Sequence, residues 1–297
     1  MELYVLEKNT MGSKYNTITV AIILVQAVFS GCEKDLDLDL PVTPSKLVVE
    51  GWIENGRIAE IILSHSAPYF SAIDSNSLPS FAETHAKVTL RSGTDAEILT
   101  LSPNQAYFPP LVYRSVEMKG AAGNVYSIEV VLEGDTITAS TSIPQPVLLD
   151  SVWFARDPGE GEKGRLWIRL TDEGSSVDYY RLLYKRKGKD STYVATNIST
   201  FSDGLFNGAT VEMGFKRGIT NMISLEEEYF FMTGDTVSVK FCTIDKDQFE
   251  FWNVYQNKVL ASANPLATSN NQLVSNVLGG LGIWSGYGAT YYLVYAK

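Results

Sequence analysis

Leu47-Val48-Val49-Glu50-Gly51-Trp52-Ile53, followed by Asn55-Gly56 and an apolar run at 59–64, is the stretch that decides the fold. Side chains there alternate with a period of two, the mark of an extended strand with one face against a core. Asn-Gly is the dipeptide best suited to a two-residue hairpin turn, because both residues tolerate positive φ. The stretch therefore reads as strand, turn, strand. The pattern returns twice before residue 146. Segments 87–91 and 97–101 flank Ser92-Gly93-Thr94-Asp95, and segments 124–132 and 136–140 flank Glu133-Gly134-Asp135. Residues 69–81 and 102–110 read as loops. No helical period of useful length occurs in this half, so short strands at this density predict an immunoglobulin-like β-sandwich over 46–146.

Ile143-Pro144-Gln145-Pro146 interrupts the pattern and marks a boundary. Beyond it, strands are expected at 166–170, 179–185, 193–197 and 236–243. One segment differs. Asp245 with Gln248 three residues on has the form of a helix N-cap, and Phe249, Trp252, Tyr255, Gln256 and Val259 fall on one helical face. A helix near 245–261 follows, with Phe249 and Trp252 buried against the sheet. The glycine-rich run 279–288 has neither the spacing nor the following helix of a phosphate loop. Its glycines read as relief of crowding in a bulged strand, ahead of a closing strand at 290–295. The fold class expected is mainly β: two β-sandwich-like domains, 46–146 and 147–297, the first immunoglobulin-like and the second carrying one packed α-helix.

The N-terminus reads as an address. Lys14 precedes an apolar stretch, 18–29, of 12 residues. A membrane-spanning helix needs about 20, whereas this length suits the core of a signal peptide. Phe29-Ser30-Gly31-Cys32 resembles the bacterial lipobox. Residues 1–31 are thus expected to be a lipoprotein signal, Cys32 the lipidated residue, and the acidic stretch 32–45 a flexible tether.

The 297-residue chain has 34 acidic against 24 basic residues and a net charge of -10, which disfavours nucleic acid as a partner. With two Cys and two His, it supports neither a disulfide scaffold nor a Cys/His zinc site. His65 and His85 lack metalloprotease spacing, and no nucleophile elbow occurs. Cys242 reads as a small buried hydrophobe, 185–190 as a charged hairpin tip and Glu226-Glu227-Glu228 as a solvated face. No catalytic residue, metal ligand or cofactor motif is nominated, so the chain reads as a non-enzyme. The aromatic residues Trp252, Tyr255, Trp284 and Tyr287 are the candidates for contact with a ligand or partner.

Four stretches resemble a known family: 47–52, Gly123-Asn124-Val125-Tyr126, Ser202-Asp203-Gly204-Leu205-Phe206-Asn207-Gly208, and Ser275-Asn276-Val277-Leu278-Gly279-Gly280-Leu281-Gly282-Ile283-Trp284. The chain is similar to the domain of unknown function 4249 family of Bacteroidota cell-envelope lipoproteins. The resemblance implies a lipid-anchored protein of the outer membrane, exposed at the cell surface. It also implies the company of TonB-dependent transporters, beside which members are often encoded. A binding or accessory module for such a transporter, taking a small nutrient or glycan, is the functional expectation. An adhesive glycan- or host-binding protein is the alternative, and a surface hydrolase with unsignposted acids is a third.

Overall fold

The computed structural model describes residues 44–66, 81–174, 176–218, 229–262 and 273–297. The signal segment, Cys32, nearly all of the tether, most of the 69–81 loop and Glu226-Glu227-Glu228 lie outside the described residues. The chain is mainly β, with one α-helix among the described residues. Residues 44–297 form one compact unit.

The opening hairpin forms where expected, though its turn takes positive φ at Gly56 alone and not at Asn55. Strands β1 (Leu47–Glu54) and β2 (Ile58–His65) pair antiparallel, and Gly56 at the turn has φ +77°. Next come β3 (Lys87–Ser92), β4 (Asp95–Ile98), β5 (Thr100–Pro103) and β6 (Leu111–Lys119). Segment 97–101 thus divides in two. Ile98 pairs with Thr89 in one sheet while Thr100 pairs with Arg114 in another. Leu99 sits buried at the corner, its N–H donating to the Val88 carbonyl at 2.9 Å. The hairpin of β7 (Val125–Leu132) and β8 (Asp135–Ser142) turns at Glu133-Gly134, both at positive φ, as a tight hairpin turn requires.

Strand β6 falls in a stretch whose alternation is broken, and the structure shows why. Its register with β2 shifts at a bulge. There Ser115 Oγ accepts the Ala59 N–H at 2.8 Å and donates to the Met118 carbonyl at 2.7 Å. The Glu97 carboxylate collects the N–H groups of Val116, Glu117 and Met118 that the bulge leaves unpaired.

The second half contributes β9 (Ser151–Arg156), β10 (Lys163–Thr171), β11 (Tyr179–Arg186), β12 (Val194–Ser202), β13 (Thr210–Phe215), β14 (Phe231–Met232) and β15 (Thr236–Ile244). Helix α1 (Lys246–Ser262) follows, then β16 (Val277–Leu278) and the 15-residue β17 (Leu281–Tyr295). The large sheet has eight strands in the order β12-β11-β15-β17-β1-β2-β6-β5. Only its β1–β17 pair is parallel. A five-stranded sheet, β16-β8-β7-β3-β4, packs on one half of it, and a small sheet of β13, β10, β14 and β9 on the other.

Two large cores lie on one face of the large sheet, and a smaller cluster of Leu183, Cys242, Ile244, Tyr287 and Ala289 lies on the other. Val49, Ile53, Ile61, Val88, Leu90 and Trp284 are among the residues filling the first. Leu166, Ile168, Tyr180, Tyr184, Val239 and Phe241 are among those filling the second. The boundary at 146 falls in the link between the cores, and the sheet runs across it.

Strand β17 makes that continuity possible. Gly51 pairs with Trp284, whose ring lies where a Cβ on Gly51 would stand 2.8 Å away. A Cβ on Gly282, at φ +105°, would be 1.9 Å from the Val49 carbonyl oxygen. Cβ atoms on Gly286 and Gly288 would be 2.1 and 2.4 Å from the carbonyl oxygens of Ser142 and Pro144, because the link between the cores crosses β17 at these glycines. The glycine-rich run is therefore a strand stripped of side chains where other backbone lies against it.

Replacing Gly286 by Ala forces this crossing apart and should lower unfolding stability by about 2–3 kcal/mol or more. At Gly204 the nearest atom to an added Cβ is 3.7 Å away, so Gly204→Ala should be near neutral. Urea unfolding of the two variants checks the contrast.

Candidate functional site

The alternation that points Val49 and Ile53, Tyr180 and Leu182, and Val239 and Phe241 into the cores sends their neighbours to the opposite face. That face carries charge. Glu50, Trp52 and Glu54 come from β1, Glu60 from β2, Arg114 from β6, Arg181 from β11, Lys240 from β15, and Tyr287 and Tyr291 from β17. Together they floor a cavity of about 640 Å³. Its walls include Tyr107 from the loop before β6, Tyr193 from the β11–β12 connection and Trp252 from α1.

Helix α1 is placed by its cap. Asp245 Oδ1 accepts the Gln248 N–H at 2.8 Å, and Gln248 Nε2 donates to Asp245 Oδ2 at 2.9 Å. The same amide donates to Thr141 Oγ1 at 3.1 Å, and that oxygen accepts the Gly286 N–H at 2.9 Å. The cap thereby fixes the helix to β8 and β17. Two turns on, Gln256 accepts from Ser199 and donates to the Asn197 carbonyl at 2.6 Å, tying the helix to β12. The buried face is rotated from the one expected. Gln248 and Phe251 are the buried residues, at 1% and 4% exposure. Phe249 packs only partly buried against Tyr179, ring centroids 5.0 Å apart, and Trp252 faces the cavity half-buried. Two polar glutamines with specific partners set the rotation, which an apolar stripe alone does not reveal.

Most cavity charges are matched. Buried Glu54 pairs with Lys240 and accepts from the Tyr291 hydroxyl, with Arg57 3.7 Å away. Glu60 pairs with Arg114. Arg181 differs. Its guanidinium lies 3.4 Å from the centroid of the Trp252 ring and donates to the Tyr287 hydroxyl at 2.5 Å, while its Nε has no hydrogen-bond partner. The Glu50 carboxylate makes no ion pair or hydrogen bond with any described residue. It is open to solvent through the cavity yet surrounded by protein on its other sides. Burial pushes its carboxyl above the ordinary range, and the charge of Arg181 offsets this only in part.

Of the four aromatic candidates, Trp252 and Tyr287 meet in the cavity across Arg181. Tyr255 is 48% exposed on α1, where burial and the charge of Glu50 raise its hydroxyl. Trp284 is fully buried in the first core, its Nε1 donating to the Tyr126 carbonyl at 3.0 Å, so it packs rather than binds. Sequence reasoning passed over Glu50, Arg181 and Lys240. The available signal was a charge at the alternate position of strands otherwise apolar on both faces.

Cys242 is fully buried, and burial pushes its thiol up to about 12, so it stays neutral. Both histidines bind Glu83, His65 through Nε2 at 2.9 Å and His85 through its backbone N–H at 2.6 Å, and neither lines the cavity. Among the described residues, Asp172, Asp178 and Asp203 are the group whose side chains could hold a metal ion.

The chain matches the family described as Domain of unknown function (DUF4249) over residues 33–292, and it belongs to that family. No curated protein matches it.

The raised carboxyl of Glu50 has a definite sign. The folded chain holds this proton more tightly than the unfolded chain does. Its contribution to stability is therefore fullest below the ordinary value of 4.5 and is lost as pH rises through the raised one. Glu50→Gln should abolish that loss, so that the variant gains stability relative to the parent on going from acid to neutral pH. Urea unfolding across that range reads the crossing, and parallel profiles would refute the assignment.

Proposed function

We propose that this protein is a non-enzymatic binding module of the outer-membrane surface, anchored by a lipid on Cys32 and serving a TonB-dependent transporter. Its ligand site is the aromatic cavity. One observation carries the reading: Arg181, stacked on Trp252 and held by Tyr287, lies in the same cavity as Glu50, a carboxylate with no partner. An unpaired carboxylate that opens into the cavity beside a stacked guanidinium leaves a ligand one acid to pair with. Flat rings with a few convergent polar groups are the ordinary makings of a small-molecule site. They suit a nutrient with one flat apolar face and hydroxyl or amino groups at its edge, such as a sugar ring.

Support for the anchor comes from the lipobox-like residues, and the family match begins at Glu33, directly after Cys32. Fully extended, a segment of the length from Cys32 to Lys46 would reach up to ~50 Å. Such tethering raises the effective concentration of a membrane partner to roughly the mM range, so that a modest contact suffices. The transporter follows from the company that the family resemblance implies.

Titration of the full chain with neutral and amino sugars, read by quenching of tryptophan fluorescence, should give saturable binding. Trp252→Ala should weaken it about tenfold or more. Crosslinking on intact cells, followed by purification through this chain, should recover a TonB-dependent transporter. A chain that binds no small nutrient and recovers no transporter fails this reading, and the adhesive one replaces it.

A further inference from the structure

At the end of the large sheet, the β10–β11 connection meets the loop that follows β12. The Asp172 N–H donates to the Ala209 carbonyl at 3.1 Å and the Asp203 N–H to the Asp178 carbonyl at 3.2 Å. The approach is close enough to exclude a Cβ at 174, and the backbone is left-handed at both 174 and 208. Gly174 and Gly208 have φ of +74° and +76°, and a Cβ on Gly174 would lie 2.9 Å from the Gly208 Cα. Backbone donors then fix the acids. Asp172 Oδ2 accepts the N–H groups of Gly174 and Gly208 at 2.8 and 2.7 Å, and Asp203 Oδ1 accepts the Asp178 N–H at 2.8 Å.

Each of Asp172, Asp178 and Asp203 offers a carboxylate oxygen, and the three lie within 4.8 Å of one another. Asp203 is fully buried, yet its Oδ2 has no hydrogen-bond partner. None of the three makes a salt bridge to a Lys, Arg or His among the described residues.

We propose that Asp172, Asp178 and Asp203 bind one calcium ion. Three carboxylates gathered without a cation repel one another, and a buried carboxylate oxygen without a donor is among the least favourable groups a fold can contain. A divalent cation removes both difficulties at once. The donors are oxygen only and come from three separated points on two loops, which suits the large, irregular shell of calcium better than the strict octahedron of magnesium. Half-buried Asp178 leaves one side on which water completes the coordination.

The rival arrangement is a proton shared by Asp172 and Asp203. Burial and the neighbouring acids do raise the Asp203 carboxyl, while backbone donors together with a proton held by Asp203 outweigh burial to lower that of Asp172. A single proton satisfies Asp203 Oδ2 but leaves Asp178 facing the charge that remains. The ion would staple the two loops at the root of β11, the strand that carries Arg181 into the cavity. The site does not rest on the function assigned to that cavity.

Equilibrium dialysis of the full chain, stripped with EDTA and returned to physiological ionic strength, tests this with ⁴⁵Ca²⁺. One ion per chain should bind saturably, with a Kd on the order of 10⁻⁴–10⁻³ M. The melting temperature should rise with CaCl₂. Asp203→Asn and Asp172→Asn should each weaken binding about tenfold or more, whereas Asp95→Asn, at the tip of the β3–β4 hairpin, should leave it unchanged. Should the buried variants fail to fold, half-exposed Asp178→Asn supplies the comparison. Absence of saturable uptake by the parent chain overturns the proposal. So does magnesium binding as tightly as calcium, or a rise in melting temperature in Asp203→Asn in EDTA, which marks the shared proton.

Discussion

Everything in this fold depends on how closely other backbone can approach β17. A strand in the middle of a sheet normally presents side chains on both faces, and these hold the next layer about 10 Å away. Here the alternate positions 282, 286 and 288 are glycine, and at 284 the series is filled by one large ring. The chain exploits the vacated face by laying the 142–146 link against it. Because that link costs no separate layer, the two β layers of the first half and those of the second share the large sheet. The opposite face of β17 keeps its side chains, and these are the ones that reach the cavity.

The cavity is the electrostatic counterpart of this economy. Lys240 and Glu54 are both nearly inaccessible, and ion pairs in such places seldom stabilise a fold more than apolar residues of the same size would. What they do supply is fixed direction. Glu54 is held by Lys240 and Tyr291 at once, and Arg181 is clamped between a ring face and a hydroxyl. A floor made in this way is preorganised, and its polar groups have little freedom left to lose.

The hairpins of the first half were legible because local chemistry alone determines them. Asn55-Gly56 and Glu133-Gly134 turn wherever they occur between alternating strands, and Asp245 caps a helix whatever lies beyond it. Strand β6 was not legible, since the Ser115 bulge erases its alternation and the compensating carboxylate, Glu97, lies in another hairpin. Trp284 shows a different limit. Its type and its place among glycines suited a binding surface, but only the parallel pairing with Gly51 reveals that the ring fills the space glycine vacates. The cavity suffered likewise, for Glu50, Arg181 and Lys240 stand on three strands that topology, not sequence order, brings together. The family stretch 202–208 was visible as a pattern, whereas the contribution of Asp203 depends on a loop some thirty residues earlier in the chain.

The parallel pairing of β1 with β17 also orders events in time. The first strand made waits for nearly the last, since Val48 pairs with Leu281 and Glu54 with Tyr287. During synthesis, neither core is complete until residues 281–295 have arrived, and contacts of such long sequence separation form slowly. A chain cut short ahead of β17 loses the centre of its sheet, not an edge. It would persist as open strands with unpaired backbone, the form that proteases and chaperones recognise. The fold thus carries its own check that the polypeptide is complete before it is put to use.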